Sequence, residues 1–159
     1  FEGLDRFAVG IESAFSEMLQ VEVGVGRGEQ IARNVETPSV GTGTDVELSA
    51  VIRPAGWIAL RPSYVYSDLS AGGQEVFSGY ILRNRADLQF TRAFFLRLVV
   101  EYDGFDRTLS IEPLLTYRLN PFSLVYIGST RGYREFDGPA GWTRTRTQYF
   151  AKVQYLLRR

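Results

Sequence analysis

Cysteine and histidine are both absent from the 159 residues. Without thiols there is no disulfide framework and no thiolate site, and without imidazole the Ser-His-Asp and Cys-His relays, the common zinc sites and histidine pH switching all fall away. Carboxylates, lysine, tyrosine and hydroxyls are left for any chemistry. Net charge is lacking too, since 18 Lys and Arg balance 18 Asp and Glu, which speaks against a nucleic-acid binder working through bulk electrostatics. No run approaches the roughly 18 consecutive apolar residues of a membrane-spanning helix. The chain opens on Phe1 rather than Met, so we expect a mature product or part of a longer polypeptide.

What the sequence does have is aromatic residues, glycine and alternation. Nine Tyr and eleven Phe accompany sixteen Gly, a mixture that favours strands over helices. Period-two alternation recurs in segments of about ten residues. It predicts strands at Arg6–Phe15, Met18–Arg27, Thr44–Arg53, Trp57–Asp68, Val76–Phe90, Phe94–Asp103, Ser110–Leu119, Ser123–Tyr133 and Trp142–Leu157. Their connections alternate between short (Ser16-Glu17, Pro54-Ala55-Gly56, Thr91-Arg92-Ala93, around Asn120-Pro121-Phe122) and longer (Gly28–Gly43, Leu69–Glu75, Gly104–Leu109, Glu135–Gly141). That is the connectivity of an all-β, antiparallel up-and-down barrel with tight turns at one rim. Residues 1–159 read as one domain. Nine strands is an odd number, whereas single-chain bacterial barrels are even, so at least one upstream strand is expected. Pro62 and Pro113 fall inside predicted strands, where each must cost a ladder hydrogen bond.

Alternation alone does not say which face meets water. Strand length and aromatic placement favour a transmembrane barrel over a soluble one, because segments of ten or more residues fit a tilted bilayer crossing and exceed ordinary globular strands. On the apolar face, Phe90, Phe94, Tyr117 and Tyr155 gather towards the short-turn rim. Tyr64, Tyr66, Tyr80 and Tyr102 gather towards the other, with aliphatic residues such as Leu48, Leu98, Val100 and Val153 between. Two aromatic girdles around an aliphatic band suit two membrane interfaces.

The opposite face carries the candidate lumen-lining residues: Arg83, Arg85, Asp87, Arg97, Glu101, Arg118, Arg144, Arg146 and Lys152. If Phe90 faces Phe94 across their turn, Asp87 faces Arg97 and Arg83 faces Glu101, with Arg85 unpaired or turned to a neighbouring strand. Glu12, Glu22, Asp45, Glu47, Arg53, Arg61, Glu112 and Arg131 extend the set. Both signs are mixed, which predicts no selectivity for one charge. Other motifs read as structural. Gly24-Val25-Gly26-Arg27-Gly28 lacks the spacing of a phosphate loop, and Asp103-Gly104-Phe105-Asp106 lacks the remaining ligands of a calcium loop. The carboxylates Glu101 with Asp103, or Glu12 with Glu22, read as lining rather than as an acid/base pair.

Three words carry a resemblance: LQFTRAFFLRLVVEYDGFDR (88–107), LLTYRLNPFSLVYIGST (114–130) and QYFAKVQYLLRR (148–159). In this order they resemble the C-terminal end of a family of large bacterial outer-membrane proteins of unknown function. In that family a β-barrel follows an N-terminal domain similar to family 9 carbohydrate-binding modules. The similarity covers Arg53 to Arg159, about the last two-thirds of the chain. It implies that the nine strands end a larger barrel and that the carbohydrate-binding-like domain lies upstream. Many outer-membrane chains finish on an aromatic, whereas this one finishes Leu157-Arg158-Arg159.

The sequence therefore predicts a non-enzymatic outer-membrane β-barrel, a pore or the membrane anchor of an upstream domain. Its partners would be the lipid bilayer, an upstream carbohydrate-binding-like domain or other outer-membrane subunits. No nucleic acid, cofactor or metal is expected. The alternative is a soluble β-barrel that holds an apolar ligand inside, with the same alternation inverted.

Overall fold

A computed structural model of the chain describes residues 4–33, 38–138 and 141–155. They form nine strands: β1 (Arg6–Ser16), β2 (Leu19–Ala32), β3 (Ser39–Ala55), β4 (Ile58–Ala71), β5 (Gln74–Gln89), β6 (Phe94–Asp103), β7 (Thr108–Asn120), β8 (Ser123–Phe136) and β9 (Gly141–Tyr155). All belong to one antiparallel sheet whose spatial order is the sequence order. The fold is all-β and up-and-down, as the alternation predicts. Leu157, the predicted end of the last strand, and the terminal Arg158-Arg159 lie outside the described residues.

Most strands run longer than the alternation suggested, at the expense of the loops, while β6 has the predicted bounds. Gly28–Ala32 pairs with Ser39–Gly43, so the predicted long connection is largely ladder. The predicted Leu69–Glu75 loop contracts to Gly72-Gly73, with φ of 61° and 78°. Positive φ at both central residues is what a two-residue type I′ hairpin turn requires, and its twist matches that of the strands. Strict alternation of short and long connections therefore does not hold.

The two prolines have a local effect. Pairing between β3 and β4 lapses after Ser49 and Ser63 and resumes at Ile52 and Leu60, on either side of Pro62. Pairing between β7 and β8 lapses likewise around Pro113 and resumes at Leu114 and Gly128. Each missing N–H costs one step of one ladder and leaves the alternation intact.

Register sorts the side chains onto two faces. One carries Val23, Leu48, Tyr64, Leu82, Tyr102 and Leu109 in a single row, and below it a second row with Leu60, Ala86, Leu98 and Pro113. Val100 and Val153 share it. No second layer covers this face. Among the described residues only Ala32, Leu69 and Val99 are buried hydrophobics, while Phe7, Ile11 and Val153 are 71%, 65% and 70% exposed. Its aromatics touch in two groups. Phe90, Phe94 and Tyr117 meet at the short-turn rim, with ring centroids 5.6 and 6.4 Å apart. Tyr64, Tyr80, Tyr102 and Trp142 form a chain near the other rim, at 5.7, 5.6 and 6.1 Å.

The other face is polar and concave. The sheet curls enough that Glu17 and Met18, at the β1–β2 turn, share a cavity of about 740 Å³ with Arg53, Arg97, Thr116 and Tyr126. β1 and β9 each pair with one neighbour only, so both remain edges among the described residues.

Candidate functional site: the charged concave wall

The polar face is built in rows. Ala59, Asp87, Arg97, Leu114, Gly128 and Phe150 form one row across β4 to β9. Arg61, Arg85 and Val99 lie in the next, and Ser63, Arg83, Glu101, Ser110, Gly132 and Arg146 in the one beyond. Asp87 thus stands opposite Arg97, and Arg83 opposite Glu101, as the alternation predicts. Arg83 and Glu101 form an ion pair at 3.4 Å.

Asp87 does not pair with Arg97. Its carboxylate instead accepts from Arg61 on β4 and, through both oxygens, from Arg85 two residues away at 3.0 Å. The reason lies in the neighbouring row, where Arg61 and Arg85 face each other across β4 and β5. Like charges directly opposite repel, and one carboxylate between them relieves both. Arg85, expected to be unpaired or turned to a neighbouring strand, is therefore held by its own strand. Arg97 has no acidic partner within 4 Å among the described residues. Arg118 stacks over the Phe95 ring at 5.4 Å, and Lys152 sits opposite Tyr126.

A second hub lies on the amino-terminal strands. Asp45 accepts from Arg6 at 2.7 Å, from the Gln30 amide at 2.9 Å and from the Ser67 hydroxyl at 2.6 Å. Arg6 reaches from β1 to β3 by passing over Gly26, where an added Cβ would lie 3.2 Å from its guanidinium. Gly43 leaves similar room for Gln30, and Gly128 for the Phe150 ring, which a Cβ would meet at 2.5 Å. Gly24, Gly26 and Gly28 all fall on this face. The glycine word that failed as a phosphate loop is a floor on which long polar side chains lie flat. The period-two spacing of those glycines was the available signal.

Both signs occur all along the wall, but unevenly by strand. On β1 to β3 it carries Glu12, Glu22, Asp45 and Glu47 against Arg6 and Arg53. Glu12 stands directly opposite Glu22. On β4 to β9 it carries Arg61, Arg83, Arg85, Arg97, Arg118, Arg146 and Lys152 against Asp87, Glu101, Asp103 and Glu112. The overall balance of zero conceals an acidic flank and a basic flank.

Two predicted wall residues, Arg144 and Arg131, are on the other side. Pairing between β8 and β9 slips between Gly132 and Tyr133, which oppose Arg146 and Arg144 and leave Thr145 unpaired. A Cβ on Gly132 would meet Arg146 Cβ at 3.2 Å and Thr145 Oγ1 at 3.4 Å, so Thr145 and Arg146 both point to the concave face. Beyond the bulge the alternation is reversed. Arg144 falls on the apolar face with Tyr133, and so does Trp142, whose ring reaches Tyr102. Arg131, opposite Ile111 and Thr147, also belongs to the apolar face.

At the rim, Arg107 in the β6–β7 turn donates to both oxygens of Asp137, at 2.7 and 2.9 Å. These hydrogen bonds, and then the opposite charge, hold the Asp137 carboxyl below the usual carboxylate range. Asp103 uses its Oδ1 to accept from the Phe105 and Asp106 amides at 2.9 and 3.3 Å, the Asx turn of an ordinary connection.

No protein-family model and no curated protein matches the chain. Two solved structures are similar to it. One is the KdgM porin in complex with disordered oligogalacturonate, 14% identical, covering 96% of this chain and 75% of that one with a TM-score of 0.48. The other is the KdgM porin, 15% identical, covering 96% and 92% with a TM-score of 0.34.

Proposed function

We propose that this chain forms most of the wall of an outer-membrane pore, with its concave face lining the lumen. One observation carries this reading. The convex face is an uncovered, predominantly apolar band bounded by two aromatic belts, an area no ordinary soluble monomer exposes. Arg83, Arg85, Asp87, Arg97, Glu101, Arg118, Arg146 and Lys152 then face the water-filled side, and Arg144 does not. A soluble barrel holding an apolar ligand needs the opposite curvature, with the apolar face inside.

Parity bears on how the barrel closes. With nine antiparallel strands, β1 and β9 run in the same direction. An antiparallel closure takes an odd number of further strands between them, which fits an upstream segment of a longer polypeptide. If that segment fills the lumen, the wall serves as an anchor instead of a channel.

Phase partition of the native protein, with heat-modifiable gel migration and planar-bilayer conductance, tests the proposal. The expected result is a detergent requirement, faster migration unheated and ohmic conductance. A monodisperse protein in water, or a spin label at position 98 that reports water, would overturn it. A detergent-requiring protein that never conducts would assign it to the anchor role.

A further inference from the structure

The convex face carries cationic side chains that an aliphatic band does not need, of which Arg27, opposite Phe7 and Thr44, stands singly. Arg131 and Arg144 lie there on adjoining strands, separated diagonally by Tyr133. Neither has an acidic oxygen within 4 Å among the described residues, and Glu135, the acidic side chain opposite Trp142, forms no ion pair with either. The β-bulge at Thr145 is what brings Arg144 out; in an unbroken alternation with Arg146 it would face the lumen. The pair is bordered by Trp142, packed on Tyr102, and by Tyr149, 68% exposed.

Uncompensated arginine in contact with hydrocarbon is costly, by about 2–4 kcal/mol at the midplane of a barrel and falling towards the interface. Two guanidiniums beside an aromatic belt are instead placed where headgroups begin, and their fork of donors matches phosphate oxygens. The geometry points to a phosphate-binding site on the outer surface of the barrel, in which Arg131 and Arg144 hold the headgroup of a phosphorylated lipid between Tyr133, Trp142 and Tyr149. This inference rests on the membrane reading and extends it from the lumen to the lipid-facing side. Charge complementarity selects the occupant: an anion whose tail is at home on the adjoining Ile127, Ala151 and Val153, which share that face.

The test uses the full polypeptide in mild detergent. Native mass spectrometry would follow binding of diphosphorylated lipid A, with phosphatidylcholine as the zwitterionic comparison and inorganic phosphate as competitor. At about one unit of surface attraction per arginine, Arg131→Gln or Arg144→Gln should weaken binding about fivefold and the double variant about thirtyfold. The double Lys variant should stay within about threefold of wild type, which separates lost charge from lost fold. Undiminished lipid A binding by the double Gln variant would overturn the inference. So would displacement by free phosphate at equal concentration, since the tail would then contribute nothing. A wild-type protein that needs no detergent defeats the pore reading itself, and that result is read from solubility before any lipid is added.

Discussion

Asp87 accepts hydrogen bonds from two guanidiniums that would otherwise confront each other across β4 and β5. Replacing Asp87 with Asn removes the shared counter-charge, whereas replacing Arg61 with Gln removes one repelling partner together with one bond. We therefore expect Asp87→Asn to lower the unfolding midpoint by the equivalent of about 1 kcal/mol and Arg61→Gln by less, measured by heat-modifiable migration in urea. The rim clasp behaves differently. A carboxyl held below its ordinary value contributes stability that is present above the unfolded pKa and lost as pH falls through the folded one. Because Asp137 is so held by Arg107, limited proteolysis of the β8–β9 connection should be slow at neutral pH and rise only once the pH has fallen below the ordinary carboxylate range. Asp137→Asn should be cut readily at either pH. At this scale alternation gave which residue stands opposite which, so the Arg83–Glu101 pair was legible. It did not give who bonds to whom. Arg61 lies on a strand whose register with β5 depends on turn geometry, and a bidentate reach along one strand depends on rotamers rather than on spacing.

Strands were legible because each is an uninterrupted period-two word, and both aromatic belts followed from the same count. The departures all occur where one residue breaks the count. Gly72-Gly73 is a two-residue turn that reads like part of a glycine-rich loop. Pro62 and Pro113 read as breaks yet cost only one ladder step each. Thr145 is the most consequential, because an unpaired residue reverses every face assignment on the amino-terminal side of it in β9. Nothing in Thr-Arg-Thr-Arg-Thr distinguishes a bulged threonine from its neighbours; the slip is set by the partner strand, where Gly132 leaves space for two side chains on one side. Paired substitutions test the face assignment at this scale. Under the membrane proposal, Leu98→Arg, in the middle of β6 on the convex face, should destabilise the inserted form by about 2–4 kcal/mol. Thr130→Arg, on the concave face in a pocket shared with Glu112, should fold like the wild type. Refolding yield into phosphatidylcholine vesicles would separate the two variants.

Across the whole molecule, an acidic flank on β1 to β3 looks towards a basic flank on β4 to β9. The composition gave a formal charge of zero and could not give this separation, which depends on how the strands are laid side by side. If the lumen is a channel, ions cross it along a path with opposite charge on its two sides, and the basic flank holds the cations left without acidic partners. Arg97→Glu combined with Arg146→Glu should therefore shift the reversal potential in a salt gradient towards cation preference, and Glu12→Gln with Glu22→Gln towards anion preference. Equal shifts of one sign from both variants would contradict the proposed sides. The strand order has a further consequence, in time rather than in space. Every strand pairs only with its predecessor and successor, so each ladder forms by closing a short loop, and the sheet can grow hairpin by hairpin without waiting for distant segments to meet. If the sheet closes into a barrel, only the last event, in which the β9 edge is joined to the β1 side, brings together parts remote in sequence. Until then two open edges and an uncovered apolar face are available to any other unfinished chain. Under the pore proposal the slow step and the hazardous one should therefore coincide, and a factor that holds the β9 edge until closure should hasten assembly and suppress aggregation at once.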